Sequence, residues 1–156
     1  MLIRPFRQGD EDALRRVFFS AVHGVASKDY SAEQIEAWAP APKGADRAPW
    51  AERMRAIRPF VAEADGVILG YADVQPNGYI DHFFVAAPAA RGGVGSSLMA
   101  RLHEEAAVRG TACLFADVSI TARPFFEKWG FAVEAQQTVA IRGVPLINFR
   151  MRKALT

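Results

Sequence analysis

Cysteine is almost absent from the sequence, and this excludes an internal disulfide bond. The single thiol, Cys113, lies in a short apolar run, where we expect a small buried strand residue. No apolar run approaches the ~18 residues that a membrane-spanning helix requires, so we expect no membrane partner. The first six residues contain too short an apolar stretch for a signal peptide, and the expected location is cytoplasmic.

An excess of charge of one sign is also missing. Nineteen Lys and Arg residues face seventeen Asp and Glu residues, and the formal net charge is only +2. Nucleic-acid-binding domains usually concentrate basic residues on one face, so we expect no nucleic-acid partner. A chain of 156 residues that is 51% hydrophobic is typical of one globular domain, and we expect that domain to span residues 1–156.

Apolar spacing and turn residues predict a mixed α/β order of elements. Asp10 is expected to cap the first helix with its side chain, and Ser31 with Gln34 to form a capping box for the second. Residues 39–49 contain three prolines and one glycine, which predicts a loop. The predicted strands are Leu2–Phe6, Phe60–Ala64, Val67–Val74, Tyr79–Val85, Ala112–Val118 (covered on both faces), Phe131–Ile141 and Val144–Met151, and the later helices begin at Val94 and Thr121.

Three glycines, Gly92, Gly93 and Gly95, lie at the start of the helix predicted from Val94. The first amides of a helix have no intrahelical partner, and the helix dipole favours an anion there. Glycine lets a ligand approach the backbone closely. No lysine follows the glycines, which excludes a Walker loop, and Leu98 stands where a dinucleotide fingerprint needs its third glycine.

The stretch around these glycines resembles the acetyl-CoA site of the GCN5-related N-acetyltransferases. That family has a strand ending in an aromatic residue and valine, then proline, then Gln or Arg-x-x-Gly-x-Gly or Ala and a helix. Phe84-Val85, Pro88, Gly93 and Gly95 match this pattern. Ala90 occupies the Gln or Arg place, which is a departure, and Arg91 comes one position late.

A second block supports the resemblance. The family often carries Asn-x-x-Ala-x-x-Phe-Tyr-Glu-x-x-Gly-Phe after its fifth strand. Residues 119–131 match it at five positions, which are Ala122, Phe125, Glu127, Gly130 and Phe131. The element order agrees along essentially the whole chain. The resemblance implies a central, mostly antiparallel twisted sheet of about seven strands, flanked by about four helices.

The resemblance also implies an activity, which is transfer of an acetyl group from acetyl-CoA to a primary amine by direct attack on the thioester. Acetyl-CoA is then a co-substrate, and no metal is expected. The backbone of Phe84 and Val85 would meet the pantetheine arm. The pyrophosphate would lie among Arg91, Gly92, Gly93, Val94, Gly95 and Ser96, and further cofactor contacts would come from Ser119 and Phe126.

The position of the general acid departs from the family. The usual tyrosine is Phe126, which has no proton to give, and Ser119 stands in the place of the asparagine. Three interpretations stay open. The thiolate leaves with a proton from water or the amine, or Ser119 or Tyr79 replaces the tyrosine, or the enzyme is weak or inactive. The last of these corresponds to an alternative function, a non-catalytic protein that binds and senses acyl-CoA.

The sequence signals for the catalytic base and for the residues of the acceptor site are less specific than those for acetyl-CoA. Asp81 and His82 follow one another on a predicted strand, so we expect them on opposite faces with one directed into the cleft. Tyr30, Trp38 and Asp73 are the residues we expect near the acceptor, Asp73 supplying negative charge for a cationic amine. A small amine, an antibiotic, a peptide N-terminus and a protein lysine all remain possible acceptors. A homodimer through the last two strands is plausible.

Overall fold

The part of the chain that the structure describes forms eight strands and five α-helices. The computed structural model describes residues 1–155. In chain order the elements are β1 Leu2–Pro5, α1 Glu11–Gly24, α2 Ala32–Trp38, α3 Arg47–Ile57, β2 Phe60–Ala64, β3 Val67–Ala72, β4 Tyr79–Ile80, β5 Phe83–Val85, α4 Val94–Arg109, β6 Cys113–Ser119, α5 Arg123–Lys128, β7 Ala132–Ile141 and β8 Val144–Ala154.

The strands make two four-stranded sheets, in the orders β1-β2-β3-β5 and β4-β6-β8-β7. All neighbours are antiparallel except β4 and β6, which run parallel. α1 covers one face of the first sheet with α3 packed beside it, and α2 packs against α1 and β8. α4 covers the opposite face of the first sheet, and α5 packs against β6. The expected mixed α/β class is confirmed, with one more strand and one more helix than the approximate counts.

One predicted strand is interrupted, and the two sheets separate at that point. The predicted strand Tyr79–Val85 is divided into β4, which pairs with β6, and β5, which pairs with β3. Asp81 and His82 lie between the two halves. A continuous strand would have joined both neighbours in one sheet, so the interruption opens a gap between β5 and β6.

A buried carboxylate stabilises the interruption. Asp73 is fully buried just after β3, and its Oδ1 accepts the backbone N–H groups of Asp81 (3.1 Å) and His82 (2.6 Å). Its Oδ2 accepts the Gln75 side-chain amide at 2.7 Å. Burial raises the pKa of Asp73 to about 6, against the opposing effect of these hydrogen bonds. The carboxylate thus provides the partners that the two amides lack where the strand is broken.

Two sequence-based expectations at helix starts had different outcomes. The capping box of α2 is confirmed, because Ser31 Oγ accepts the Gln34 N–H and Gln34 Oε1 accepts the Ser31 N–H. Asp10 is the N-cap residue of α1, as predicted, but its side chain makes no capping hydrogen bond. Asp10 binds Arg4 through two hydrogen bonds of 2.9 Å and accepts the Arg7 backbone N–H at 2.9 Å. The nearby guanidinium outcompetes the helix amides for this carboxylate.

The predicted loop at residues 39–49 ends earlier than expected, because α3 begins at Arg47. Pro49 lies in the first turn of this helix, where proline is tolerated, so the proline count concealed a helix start. The predicted burial of β6 on both faces is also wrong. Alternate residues of β6 are buried, and Asp117 is exposed on the outer face, where it binds Arg150 at 2.8 Å.

Within residues 1–155, no helix has both the length and the apolar character required to cross a bilayer.

The structure predicts that Asp73→Asn destabilises the protein by about 1–3 kcal/mol. The change replaces one carboxylate oxygen with an amide NH2 group, which cannot accept a hydrogen bond. Asp65→Asn is the matched control, since Asp65 is exposed in the turn between β2 and β3. Urea unfolding at pH 7 measures both changes. Equal stability of the two variants would contradict the role assigned to Asp73.

Candidate active site

The outer edge of β5 lies free beside the gap between the sheets. Asp73 N–H donates to His82 O, and Ala86 N–H donates to Leu69 O. Hydrogen-bonded pairs alternate along antiparallel strands, so Phe84, opposite Tyr71, also directs its N–H and C=O to β3. The backbone groups of the residues on either side of Phe84 therefore point away from β3 and into the gap.

The chain leaves β5 and reaches the N-terminus of α4 through the glycine turn. Arg91 and Gly93 adopt left-handed backbone conformations, with φ of 64° and 87°. The first backbone hydrogen bond of the helix runs from Ser97 N–H to Gly93 O at 3.1 Å. Among the described residues, no side chain caps this end of α4. The amides of residues 94–96 are therefore available to an anionic ligand.

Gly93 and Gly95 are required for different structural reasons. A Cβ on Gly93 would have nothing within 4 Å among the described residues, whereas a Cβ on Gly95 would lie 3.3 Å from the Phe125 ring. Gly95 therefore lets an aromatic side chain of α5 pack close to α4. Gly93 combines a positive φ with open space at the start of the helix, which is the arrangement that suits close approach of a ligand.

His82 lies in an aromatic pocket on the other side of β5. Its ring centroid is 5.8 Å from both Tyr71 and Trp50, 5.6 Å from Phe84 and 6.2 Å from Phe18. The hydroxyl of Tyr71 is hydrogen-bonded to His82 Nδ1 at 3.0 Å. Burial lowers the pKa of His82 to about 4, so its imidazole is neutral at physiological pH.

These features correspond to a known family. The family model of the acetyltransferase (GNAT) domain matches residues 26–153. The chain belongs to the GNAT acetyltransferase family. The N-acetyltransferase YafP of Escherichia coli (strain K12) is 37% identical over 150 residues, which cover 96% of this chain and 93% of that protein. This chain is thus an N-acetyltransferase.

Solved structures agree with this assignment. A GCN5-related N-acetyltransferase from Rhodopseudomonas palustris is 32% identical with a TM-score of 0.92, covering 99% of this chain and 95% of the other. The PaiA N-acetyltransferase from Thermoplasma acidophilum, solved with coenzyme A, has a TM-score of 0.72 at 18% identity and covers 99% of each chain. At that identity the likeness shows the fold.

In this acetyltransferase, Asp81 and His82 do not lie on opposite faces. The Asp81 carboxylate pairs with Arg53 of α3, and the His82 ring faces Trp50 of the same helix. The expectation failed because it assumed a regular strand, whereas the chain is interrupted at these two residues. His82 reaches the pocket beside β5, while the charge of Asp81 is compensated by an exposed arginine.

The structure does not bring Asp73 to the acceptor side. It is fully buried, and its oxygens are occupied by the amides that hold the strand interruption. Phe84 likewise uses its backbone within the sheet, and its side chain packs against Phe18 with centroids 5.0 Å apart. The predicted backbone contact to pantetheine therefore fits Phe83 and Val85 rather than Phe84.

The two predicted residues near the leaving group have different environments. Phe126 is only 3% exposed and packs against Phe83, Phe125 and Phe131, which makes it part of the core. Ser119 ends β6, and its Oγ accepts the Ala122 N–H at 3.0 Å, which leaves its hydroxyl proton for another partner. Tyr79, the other alternative, donates to Asp117 on the outer face of the second sheet.

Tyr30 and Trp38 connect α2 to the rest of the structure. The Tyr30 hydroxyl donates to the Ile147 carbonyl and accepts the Ile120 N–H, so this buried side chain ties β8 to the end of β6. Trp38 is half-buried and lies between Tyr30 and Phe84, at centroid distances of 5.6 and 6.2 Å. Of the two, Trp38 is the one positioned to border the aromatic pocket.

Sequence reasoning missed Phe83, Tyr71 and Trp50. The role of Phe83 depends on the phase of hydrogen bonding between β3 and β5, which the sequence does not encode locally. Trp50 was missed because it lies in the first turns of α3, a helix that was not predicted from the sequence. Tyr71 lies two residues before Asp73 on the hairpin strand, and the alternation of that strand could have placed it on the face that carries His82.

We predict that His82 stays neutral down to about pH 5, because burial in the aromatic pocket disfavours its charged form. Titration of the imidazole proton resonances by NMR measures this directly, with His82→Gln to assign the signal. A midpoint near 6.5 for His82 would contradict the buried, neutral imidazole.

Proposed function

We propose that residues 1–156 form one domain that transfers an acetyl group from acetyl-CoA to a primary amine of a small molecule or peptide. The observation that carries the proposal is the free edge of β5, which leads directly to the uncapped N-terminus of α4. An extended chain with amides needs such an edge, and a pyrophosphate needs such a helix start. Both belong to one continuous segment of this chain.

The residues present fit acetyl-CoA. The backbone amides of Val94, Gly95 and Ser96, with the turn at residues 91–93, would hold the pyrophosphate. The outward N–H and C=O groups of Phe83 and Val85 would bind the pantetheine amides. When bound, acetyl-CoA supplies an activated acetyl group and a thiolate leaving group. An N–H of this edge is also a suitable donor to the thioester oxygen.

We assign the proton-accepting role to His82. An amine attacks only in its neutral form, and its protons become acidic as the new bond to the carbonyl carbon forms. When His82 Nδ1–H donates to the Tyr71 hydroxyl, Nε2 carries the lone pair that accepts this proton. The imidazole is neutral before the reaction because burial lowers its pKa to about 4, and the lone pair on Nε2 is therefore available as the amine bonds to the carbonyl carbon.

For the leaving thiolate we assign Ser119 rather than Phe126, as a hydrogen-bond donor that stabilises the negative charge, while the proton that the sulfur finally takes comes from the solvent or from the amine. Phe126 has no proton, and its burial in the aromatic core leaves no room for solvent to replace it. Ser119 retains a hydroxyl proton, since its hydrogen bond to Ala122 uses the oxygen as acceptor. Asp81 then serves to hold Arg53 beside the interruption and takes no direct part in proton transfer.

Acetyl-CoA binding tests the proposal. At ~100 times the dissociation constant, a specific ligand stabilises a protein by roughly 2.7 kcal/mol, which corresponds to a rise in Tm of roughly 5–10 °C for a domain of this size. We expect this rise with acetyl-CoA and not with ATP or NAD. The absence of a rise at millimolar acetyl-CoA would overturn the proposed function.

Gly93→Ala is predicted to weaken acetyl-CoA binding at least about tenfold, because the Cβ strains the turn and occupies the space that the phosphates need. Gly143→Ala is the matched control. Gly143 has φ of 79°, close to the 87° of Gly93, and a Cβ there also meets nothing within 4 Å among the described residues. Calorimetry with acetyl-CoA compares the two, and equal affinities would remove the turn from the binding site.

Between pH 7 and 9 the rate should depend on pH through the amine alone. The pKa of His82 is lowered to about 4 and that of Asp73 is raised only to about 6, so both groups keep their protonation state over this range. For an acceptor with a pKa above 9, log kcat/KM is expected to rise with unit slope across this range. His82→Gln should lower kcat by about 10²-fold or more at every pH. An inflection near pH 6.5 that His82→Gln abolishes would show that the imidazole titrates in the active enzyme.

A further inference from the structure

Arg15 of α1 lies against the same aromatic rings as His82. Its guanidinium carbon is 5.2 Å from the centroid of Phe18 and 5.3 Å from that of Trp50. His82 packs against these two rings as well, at 6.2 and 5.8 Å. The cation and the neutral imidazole therefore lie against the same two rings, Phe18 and Trp50.

The guanidinium of Arg15 is incompletely bonded. One terminal nitrogen, Nη2, donates to the Pro40 carbonyl at 2.9 Å. The other terminal nitrogen, Nη1, is buried and has no hydrogen-bond partner among the described residues. The only other buried side-chain polar atom of this kind in residues 1–155 is the neutral hydroxyl of Thr111. An unsatisfied donor on a charged group is costly in a folded protein.

The lack of a carboxylate partner distinguishes Arg15 from the paired arginines of α3. On α3 and at its start, Arg47 pairs with Asp12, Arg53 with Asp81 and Arg55 with Glu11. Arg15 makes no ion pair of this kind within the described residues.

No carboxylate contact balances the positive charge of Arg15 within the described residues. Burial lowers the pKa of Arg15, Asp46 and the Tyr71 hydroxyl oppose this effect, and Arg142 adds to it with a second positive charge.

We propose that Arg15 is the carboxylate-binding residue of the acceptor site, and that the acceptor is an α-amino acid whose amine faces His82. This inference rests on the proposed function for the identity of the reaction. The planar guanidinium matches a carboxylate in a two-bond arrangement, and the free Nη1 donors are available for it. Binding would satisfy the buried donor and neutralise the charge in one step.

The walls of the pocket further restrict the class of amino acid. Phe18 and Trp50 present apolar ring surface between Arg15 and His82, and Trp38 with Phe84 extends it toward α2. Apolar and aromatic side chains gain most from burial against such walls. We expect these amino acids to bind better than acidic or basic ones.

The test compares acids with their carboxamides, which keep the amine and the side chain but lose the anionic charge. Binding of the twenty common amino acids is measured by thermal shift, with and without CoA, and each acid that binds is then compared by calorimetry with its carboxamide. We expect at least one apolar acid to bind about tenfold or more tightly than its carboxamide.

Arg15→Gln and Arg16→Gln complete the test. Arg16 is the neighbour on the same helix and is exposed, so its replacement makes the same change in net charge outside the pocket. The preference for the acid should be lost in Arg15→Gln and kept in Arg16→Gln. Arg15→Gln should melt within a few degrees of the parent protein, because removing an incompletely bonded buried charge offsets the lost contacts.

The outcomes separate this inference from the proposed function. If acetyl-CoA stabilises the protein but no amino acid binds, or the carboxamides bind as well as the acids, the role of Arg15 is overturned and the transferase function stands. If acetyl-CoA does not bind, the proposed function fails, while an acid preference that depends on Arg15 would still support the carboxylate site.

Discussion

The hydrogen bonds of the Asp73 carboxylate are the interaction on which the rest of the structure depends. By accepting the amides of Asp81 and His82, this buried group stabilises a strand that changes sheets halfway along its length. Without it, two backbone donors would be buried without partners, or the strand would continue and close the gap. The carboxylate thus has a structural role, and its effect on the site is exerted through the backbone.

The strand interruption shapes the candidate active site on both sides of β5. On one side, the outward backbone groups of Phe83 and Val85 lose their neighbouring strand and remain available to a ligand. On the other, His82 leaves the regular pleat and turns into the pocket of Tyr71 and Trp50. Gly78 contributes to the same geometry, because a Cβ there would overlap the Cys113 carbonyl and keep β4 from its pairing with β6.

Local patterns in the sequence predicted the elements that depend on local physics. The glycine turn, the start of α4 and the Ser31 capping box depend on neighbouring residues and could be found this way. The strand interruption could not, because it is set by a carboxylate on a different strand. The same applies to the hydrogen-bonding phase of β5, which shifted the expected backbone contacts from Phe84 to Phe83. The helix start at Arg47 was hidden by Pro49, a proline in the first turn, where proline is tolerated.

The three features assigned to ligands share one physical property, which is that each leaves polar groups without a protein partner. They are the free edge of β5, the uncapped amides of α4 and the Nη1 of Arg15. Folding alone would favour their satisfaction, as it does for Arg4 with Asp10 and Glu63. Their number around one pocket and one gap is best explained by ligands that supply the missing partners. In the proposed complexes, an extended chain with amides and phosphates would satisfy the first two, and a carboxylate on the acceptor would satisfy the third.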